Sequence, residues 1–300
     1  MSILIDQHTR VIVQGLTGAQ ARFDCEWCIK YGTRIVAGVT PGRGGDSVHG
    51  VPVYDTVAAA VAEHPADATV LYVPPLLVKS AVLEALAAGL RLVVVLAEYV
   101  PLHDVVTIVA AARRAGAHLV GCNTNGLISP GRSKLGGVGG IDPAEIFAPG
   151  HVGVVSRSGG MTAELVLTLK AAGLGVSTSI SMGGDAVTGL TMADYMSLFE
   201  ADPETDAMVL FGEPGTDNEE GVAALVRAGT VTKPVVALIA GQFQERHPAG
   251  VSFGHAAAII TDGSKSASAK RALLRESGVH VALALEQIPE LIRAALARRG

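Results

Sequence analysis

Three hundred residues, 49% of them hydrophobic and only 17% charged, exceed one small core and suit two domains. The low charge content points to surface buried against partners. A net charge of -5 with no long basic run argues against nucleic acid or an anionic membrane as a partner.

No leader of charged and then apolar residues opens the chain and no uninterrupted apolar run of about 18 residues occurs, so a cytoplasmic protein is expected. "VIVQGL" leads the first buried strand, and "RIVAGV", "ATVLYVPP", "RLVVVLAE" and "HLVGCN" follow. Between them "LLVKSAVLEALAAG" and "HDVVTIVAAARRAG" carry helical periodicity. Strands alternating with helices predict a parallel sheet with right-handed crossovers. Asn125 to Gly150 breaks the rhythm with glycine and proline and no long periodic element. The alternation resumes with "HVGVVSRS", "VSTSISMGG", "TDAMVLFGE", "KPVVALIAG" and "VHVAL". Two doubly wound α/β domains are predicted, one over residues 1–125 and one over 126–300.

Glycine accounts for 36 residues, and the excess falls at strand ends, where open α/β sheets bind ligands. Three cysteines are too few for a disulfide framework and fit a reducing compartment. Cys25 and Cys28 have CxxC spacing but lie in a predicted helix without a second ligand pair, so helix packing is the expected role.

After the first strand, "QGLTGAQ" places Gly15 and Gly18 on a strand-to-helix turn, where backbone N–H groups can approach a phosphate. The spacing is not the GxGxxG fingerprint. The second strand ends in "AGVTPGRGG", with Arg43 where an NAD site wants an acidic residue. A phosphorylated adenosine such as that of coenzyme A fits better. A plain glycine turn with a solvated arginine is the bland alternative.

In the second half, "SRSGG" (156–160) and "MGGD" (182–185) have the composition of anion-binding strand ends. "FGEPG" puts Glu213 at the next strand end, and "GHAAAII" supplies His255 among residues small enough to admit a bulky anion. With Glu213 fixing one ring nitrogen, the other would be free as a nucleophile for a phosphoryl group. Spacing alone is equally compatible with a packed structural histidine.

The segments "VQGLTGAQ", "GVTPGRGG", "VPVYDTV", "GHVGVVSRSG", "LFEADPET", "TKPVVALIAG" and "GHAAAII" stand in an order that resembles the α subunit of succinyl-CoA synthetase and related ADP- or GDP-forming acyl-CoA ligases. That resemblance covers nearly the whole chain. It implies a Rossmann-like CoA-binding domain followed by a flavodoxin-like domain carrying a phosphohistidine. Thr17, Gly18, Ala19, Gln20, Arg43, Leu96, Ala97 and Glu98 would hold coenzyme A. His255 would take phosphate from a nucleoside triphosphate and pass it to a carboxylic acid, with Glu213 orienting the ring. Ser158, Gly159, Gly160 and Asn123 would lie near the phosphate and acid. An ATP-grasp β subunit is the implied partner and would bind ATP or GTP with magnesium.

Departures bear on the acid. Succinate-using members resemble "SRSGTLTYE" where this chain has "SRSGGMTAE", so Ala163 replaces a tyrosine. "SRSGGM" is similar instead to ATP-citrate lyase and citryl-CoA synthetase, which makes succinate, malate and citrate competing expectations. Pro214 and Ala257 also depart from the usual "GEIGG" and "GHAGAI". A noncatalytic CoA-binding or acyl-CoA-sensing protein is the rival reading. A nicotinamide-dependent oxidoreductase is disfavoured by the missing fingerprint.

Overall fold

The computed structural model describes residues 2–298 and divides them into two compact units. Residues Leu4–Pro143 with Val187–Leu190 form the first, and Ala144–Ala186 with the chain from Thr191 onward form the second, joined by residues 2–3.

The first unit begins with β1 (Arg10–Gln14), α1 (Ala19–Tyr31), β2 (Arg34–Val39), β3 (Ser47–Val48), β4 (Val51–Tyr54) and α2 (Val57–Glu63). It continues through β5 (Ala68–Leu71), α3 (Val78–Ala87), β6 (Leu92–Val95), α4 (Leu102–Ala115), β7 (His118–Gly121), β8 (Gly126–Ser129) and β9 (Ser133–Leu135). Its sheet runs β3-β4-β2-β1-β5-β6-β7, parallel except for the β3–β4 hairpin. Strands β5 and β6 are buried on both faces, as expected of parallel strands covered by helices. Helix α4 shows how the sequence dictates the cover. Val105, Ile108, Val109 and Ala112 recur at helical spacing and are buried, and each larger side chain contributes roughly 1.5–3 kcal/mol of burial. They pack into a core with Ile12, Leu71, Val93 and Val95 from the strands.

The second unit holds α5 (Pro143–Ile146), β10 (Pro149–Ser156), α6 (Gly159–Ala171), β11 (Val176–Ser181), α7 (Met192–Ala201) and β12 (Ala207–Gly212). Then come α8 (Asn218–Arg227), β13 (Val235–Ile239), α9 (Ala267–Glu276), β14 (His280–Ala282) and α10 (Ile288–Ala297). Strands β14, β13, β12, β10 and β11 lie side by side and parallel. Helix α7 starts at a capping box, Thr191 and Asp194 exchanging bonds with each other's backbone N–H. Ser158 and Ser266 cap α6 and α9 through their side chains.

In each sheet the strand order reverses about a central strand. β1 is flanked by β2 and β5, and β10 by β11 and β12. Such switch points open a crevice beyond the carboxyl ends of the strands.

The segment read as an irregular break contains the β8–β9 hairpin. Residues 126–143 cluster with the first unit, whereas β8 and β9 are counted with the strands of the second sheet, as the sequence assignment to the second domain expects. Thr33 explains the attachment: its hydroxyl donates to the Lys134 carbonyl at 2.7 Å and accepts the Lys134 N–H at 3.1 Å. Lys134 is itself buried, its ammonium donating to the carbonyls of Val138 and Gly140 at 3.1 and 2.7 Å. Burial pushes the Lys134 pKa down.

Candidate functional site

Three strands of the second unit, β10, β11 and β12, deliver the residues around His255, which itself lies in the long segment between β13 and α9. After β12, Glu213 is nearly buried, and both its carboxylate oxygens accept from His255 Nδ1, at 2.8 and 3.0 Å. The second ring nitrogen, Nε2, has no hydrogen-bond partner among the described residues. The imidazole is about one-third exposed, so the free nitrogen belongs to a ring that solvent and a ligand can reach. Gly184, after β11, lies against the ring: a Cβ there would sit 2.6 Å from His255 Cγ and 2.8 Å from Nδ1. "MGGD" thus matters here for what it lacks, a side chain.

Arg157, after β10, has no exposed side-chain surface and donates from Nε to Glu213 Oε1 at 3.2 Å. Its Nη2 donates to the Asp185 carbonyl at 2.9 Å and its Nη1 to the Thr216 hydroxyl at 3.4 Å. The backbone of Glu213 is held as well, its N–H donating to Glu219 Oε1 at 3.2 Å, and Glu219 forms a fully buried ion pair with Lys270. The Glu213 hydrogen bond raises the His255 pKa, burial and the Arg157 charge oppose it, and Asp185 adds a smaller upward push. Among the predicted residues the structure brings His255 and Glu213 into direct contact. Ser158, Gly159 and Gly160 form the cap and first residues of α6, with the Ser158 hydroxyl accepting from Met161 N–H at 3.4 Å.

In the first unit the predicted coenzyme A residues follow the carboxyl ends of β1, β2 and β6. Gly15 has φ +82° and its virtual Cβ would lie 2.5 Å from the Tyr72 carbonyl, so only glycine fits this turn without strain. Gly18 occupies the N-cap position of α1 without a side-chain cap, leaving N–H groups for a ligand. Thr17 lies 3.3 Å from the Thr40 hydroxyl, and Gln20 donates to Asp24 at 3.0 Å. Ala19 opens α1 itself. Arg43 is exposed and paired with Asp46 at 2.6 Å, so the expected phosphate-binding cation carries a carboxylate neighbour. Leu96 and Ala97 are half-buried after β6, with Glu98 exposed beside them. Asn123, grouped on sequence with the phosphate and acid residues, lies in this unit: its N–H donates to the Ala97 carbonyl at 3.0 Å and its side chain to Glu98 at 3.4 Å. A close-approach glycine turn, an uncapped helix start and a basic loop fit an anionic phosphorylated nucleotide.

Cys25 and Cys28 are buried in α1, and burial pushes the Cys28 thiol up to about 12 and Cys25 higher still. Thiols so far from ionising are packing groups.

A family model described as a CoA binding domain matches residues 6–99, and one described as a Succinyl-CoA ligase like flavodoxin domain matches residues 149–296. Over 296 residues the chain is 46% identical to subunit alpha 1 of an ADP-forming succinate–CoA ligase of Archaeoglobus fulgidus, with 99% of each chain covered. The chain belongs to the succinyl-CoA ligase α-subunit family.

Another family member, a subunit of the ADP-forming sulfoacetate-CoA ligase of Bilophila wadsworthia, is 41% identical over 99% of this chain and 100% of that one. Among solved structures, ATP citrate lyase from Methanothrix soehngenii, in complex with citrate and coenzyme A, matches with a TM-score of 0.91 at 27% identity. The match covers 99% of this chain and 51% of that one, so the chain spans about half its length. Within this family fold, sequence reasoning overlooked Arg157 and the steric role of Gly184. Arg157 stood inside "SRSGG", where a charged residue directly after a strand was the available signal.

Proposed function

We propose that the chain is the α subunit of a nucleoside-diphosphate-forming carboxylate–CoA ligase that works through a phosphohistidine at His255. One observation carries the reading: Glu213 engages Nδ1 and leaves Nε2 without a partner among the described residues. A neutral imidazole held this way is a nucleophile with a fixed direction of attack.

In the first step Nε2 of His255 attacks the γ-phosphorus of a nucleoside triphosphate, the bond to the bridging oxygen breaks, and the nucleoside diphosphate leaves. Nδ1–H donates to Glu213 throughout, which stabilises positive charge developing on the ring. Next a carboxylate oxygen of the acid attacks the phosphorus and the N–P bond breaks. Nε2 regains its lone pair and an acyl phosphate forms. Coenzyme A supplies the thiol that accepts the acyl group as phosphate departs. Thr17 to Gln20, Arg43 and Leu96 to Glu98 are the residues proposed to hold it, with Asn123 beside them. The triphosphate, ATP or GTP with magnesium, is assigned to an ATP-grasp β subunit, consistent with relatives named as alpha subunits.

For the acid, the relatives are named for succinate and sulfoacetate, and the neighbouring structure holds citrate. All three join a carboxylate to at least one further anionic group, so a di- or tricarboxylic acid such as succinate, malate or citrate is the proposed class. Gly160 favours a bulkier member, because a Cβ there would meet nothing within 4 Å. Ala163 removes further bulk from the same helix start.

Labelled γ-phosphate offered to the chain with its ATP-grasp partner tests the reading. Acid-labile, base-stable label that His255→Asn abolishes is expected, discharged by the correct acid plus coenzyme A. No label from ATP or GTP, in a complex that binds nucleotide, would leave the noncatalytic CoA-binding reading.

A further inference from the structure

Arg157 is a permanent charge with no exposed side-chain surface. Burying a guanidinium is costly unless its donors are paired, and here the pairing is aimed. Nη2 and Nη1 donate to fixed acceptors, the Asp185 carbonyl and the Thr216 hydroxyl, and Nε donates to Glu213 Oε1. That same oxygen accepts from His255 Nδ1 at 2.8 Å. Arg157 and His255 therefore face each other across one carboxylate.

We propose that Arg157 is a positioning residue that holds the Glu213 carboxylate against His255 Nδ1 and sets a fixed positive charge across that carboxylate from the ring. This assignment rests on the phosphohistidine reading given above.

A protonated imidazole carries a proton on each nitrogen and has no lone pair to attack phosphorus. A carboxylate alone beside the ring draws it toward that dead state, because it favours the cation. The charged groups acting on His255 are Glu213 and Asp185, which favour protonation, and Arg157, which opposes it. Glu219 and Lys270 form a buried pair behind the Glu213 backbone. The guanidinium thus opposes protonation of the ring while Glu213 orients Nδ1–H, within a balance that still raises the His255 pKa. Anchoring at Asp185 also ties the arginine to the loop that contains Gly184, the residue beneath the ring.

Arg157→Gln removes the charge and Arg157→Lys keeps a charge without the fork. His255 is followed by nitrogen-resolved NMR titration of the chain, assigned with His255→Asn, and folding is checked by circular dichroism. With its ATP-grasp partner, each variant is also assayed for the rate of His255 phosphorylation against pH. In Arg157→Gln the His255 titration should move up, because the one positive charge that opposes protonation is gone. The acid limb of phosphorylation should move with it, and the rate at high pH should also fall about tenfold, because Gln lacks the fork that grips Glu213. In Arg157→Lys the titration should move less, while the high-pH rate falls about tenfold because Glu213 is no longer gripped.

An unmoved titration in folded Arg157→Gln overturns the proposal. If that variant does not fold, Arg157→Lys decides, and a rate and titration matching the parent chain overturn it. A uniform loss of rate with no shift in either limb or titration marks a merely structural arginine and also overturns it. Absence of label on the parent protein would count against the phosphohistidine reading, whereas the titration still reports on Arg157 directly.

Discussion

Gly184 lies so close beneath His255 that a methyl group on it would stand 2.6 Å from Cγ of the ring. Real side-chain contacts do not reach that distance, so in Gly184→Ala the imidazole or the loop that carries residue 184 must shift, which disturbs the contact with Glu213. Phosphorylation of His255 should fall at least about tenfold, since a displacement near 1 Å can cost up to about a hundredfold in a positioned reaction. Circular dichroism and rapid-quench labelling of the variant together check this, and normal labelling in a folded Gly184→Ala would contradict the geometry.

Glu213→Gln removes the largest cause of the raised His255 pKa. The folded pKa lies above the unfolded one, so this interaction stabilises the protein fully below the unfolded value near 6.5 and is lost as pH rises through the folded value. The stability difference between parent and Glu213→Gln should accordingly contain a pH-dependent part that is largest in acid and shrinks above neutrality. Urea unfolding at a series of pH values measures it, and a difference that grows with pH would reverse the assignment.

Arg43 and Asp46 form an exposed pair that a ligand phosphate would have to share. Arg43→Ala should weaken coenzyme A binding about tenfold, in line with loss of a charge-assisted contact. Asp46→Ala should strengthen it slightly by freeing the cation. Calorimetric titration with coenzyme A reads both, and equal affinity across the three proteins would remove Arg43 from the site.

Gly160→Thr with Ala163→Tyr rebuilds at the start of α6 the residue types of succinate-using relatives. The double variant should lose activity on citrate by more than on succinate, because its added bulk occupies space that is open at Gly160. Discharge of labelled enzyme by each acid supplies the comparison, and an unchanged ratio would separate this helix start from acid selection.

Cys25 and Cys28 should resist a thiol reagent in the folded chain and react once the chain is unfolded in guanidinium. Their burial and raised pKa values withhold the thiolate. Rapid modification of either in the native protein would show that α1 opens.

Much of this was legible beforehand because hydrophobic runs and helical periodicity report directly on sheet and cover: the α4 stripe Val105, Ile108, Val109, Ala112 reads off the letters. The His255–Glu213 pair was legible because each follows a strand whose end is punctuated by glycine. The β8–β9 hairpin was not, since its strands have four and three residues amid glycines that signal loop. Arg157 escaped for a different reason. Its partners Asp185, Glu213 and Thr216 become neighbours only when β10, β11 and β12 align, and no local pattern encodes that alignment. Asn123 likewise declares its contacts with Ala97 and Glu98 only through the pairing of β6 with β7.

Arg157, Gly184 and Glu213 follow the ends of three neighbouring strands of one parallel sheet, and His255 comes from the long segment between β13 and α9. No excised peptide can therefore reproduce the arrangement of Arg157, Glu213 and His255, and local melting of any one loop breaks it. Conversely, the helix start that follows β10 carries neither His255 nor Glu213, so its sequence can drift while that pair keeps its geometry. Under the proposed function, a lineage can then explore new acids without rebuilding its phosphoryl carrier.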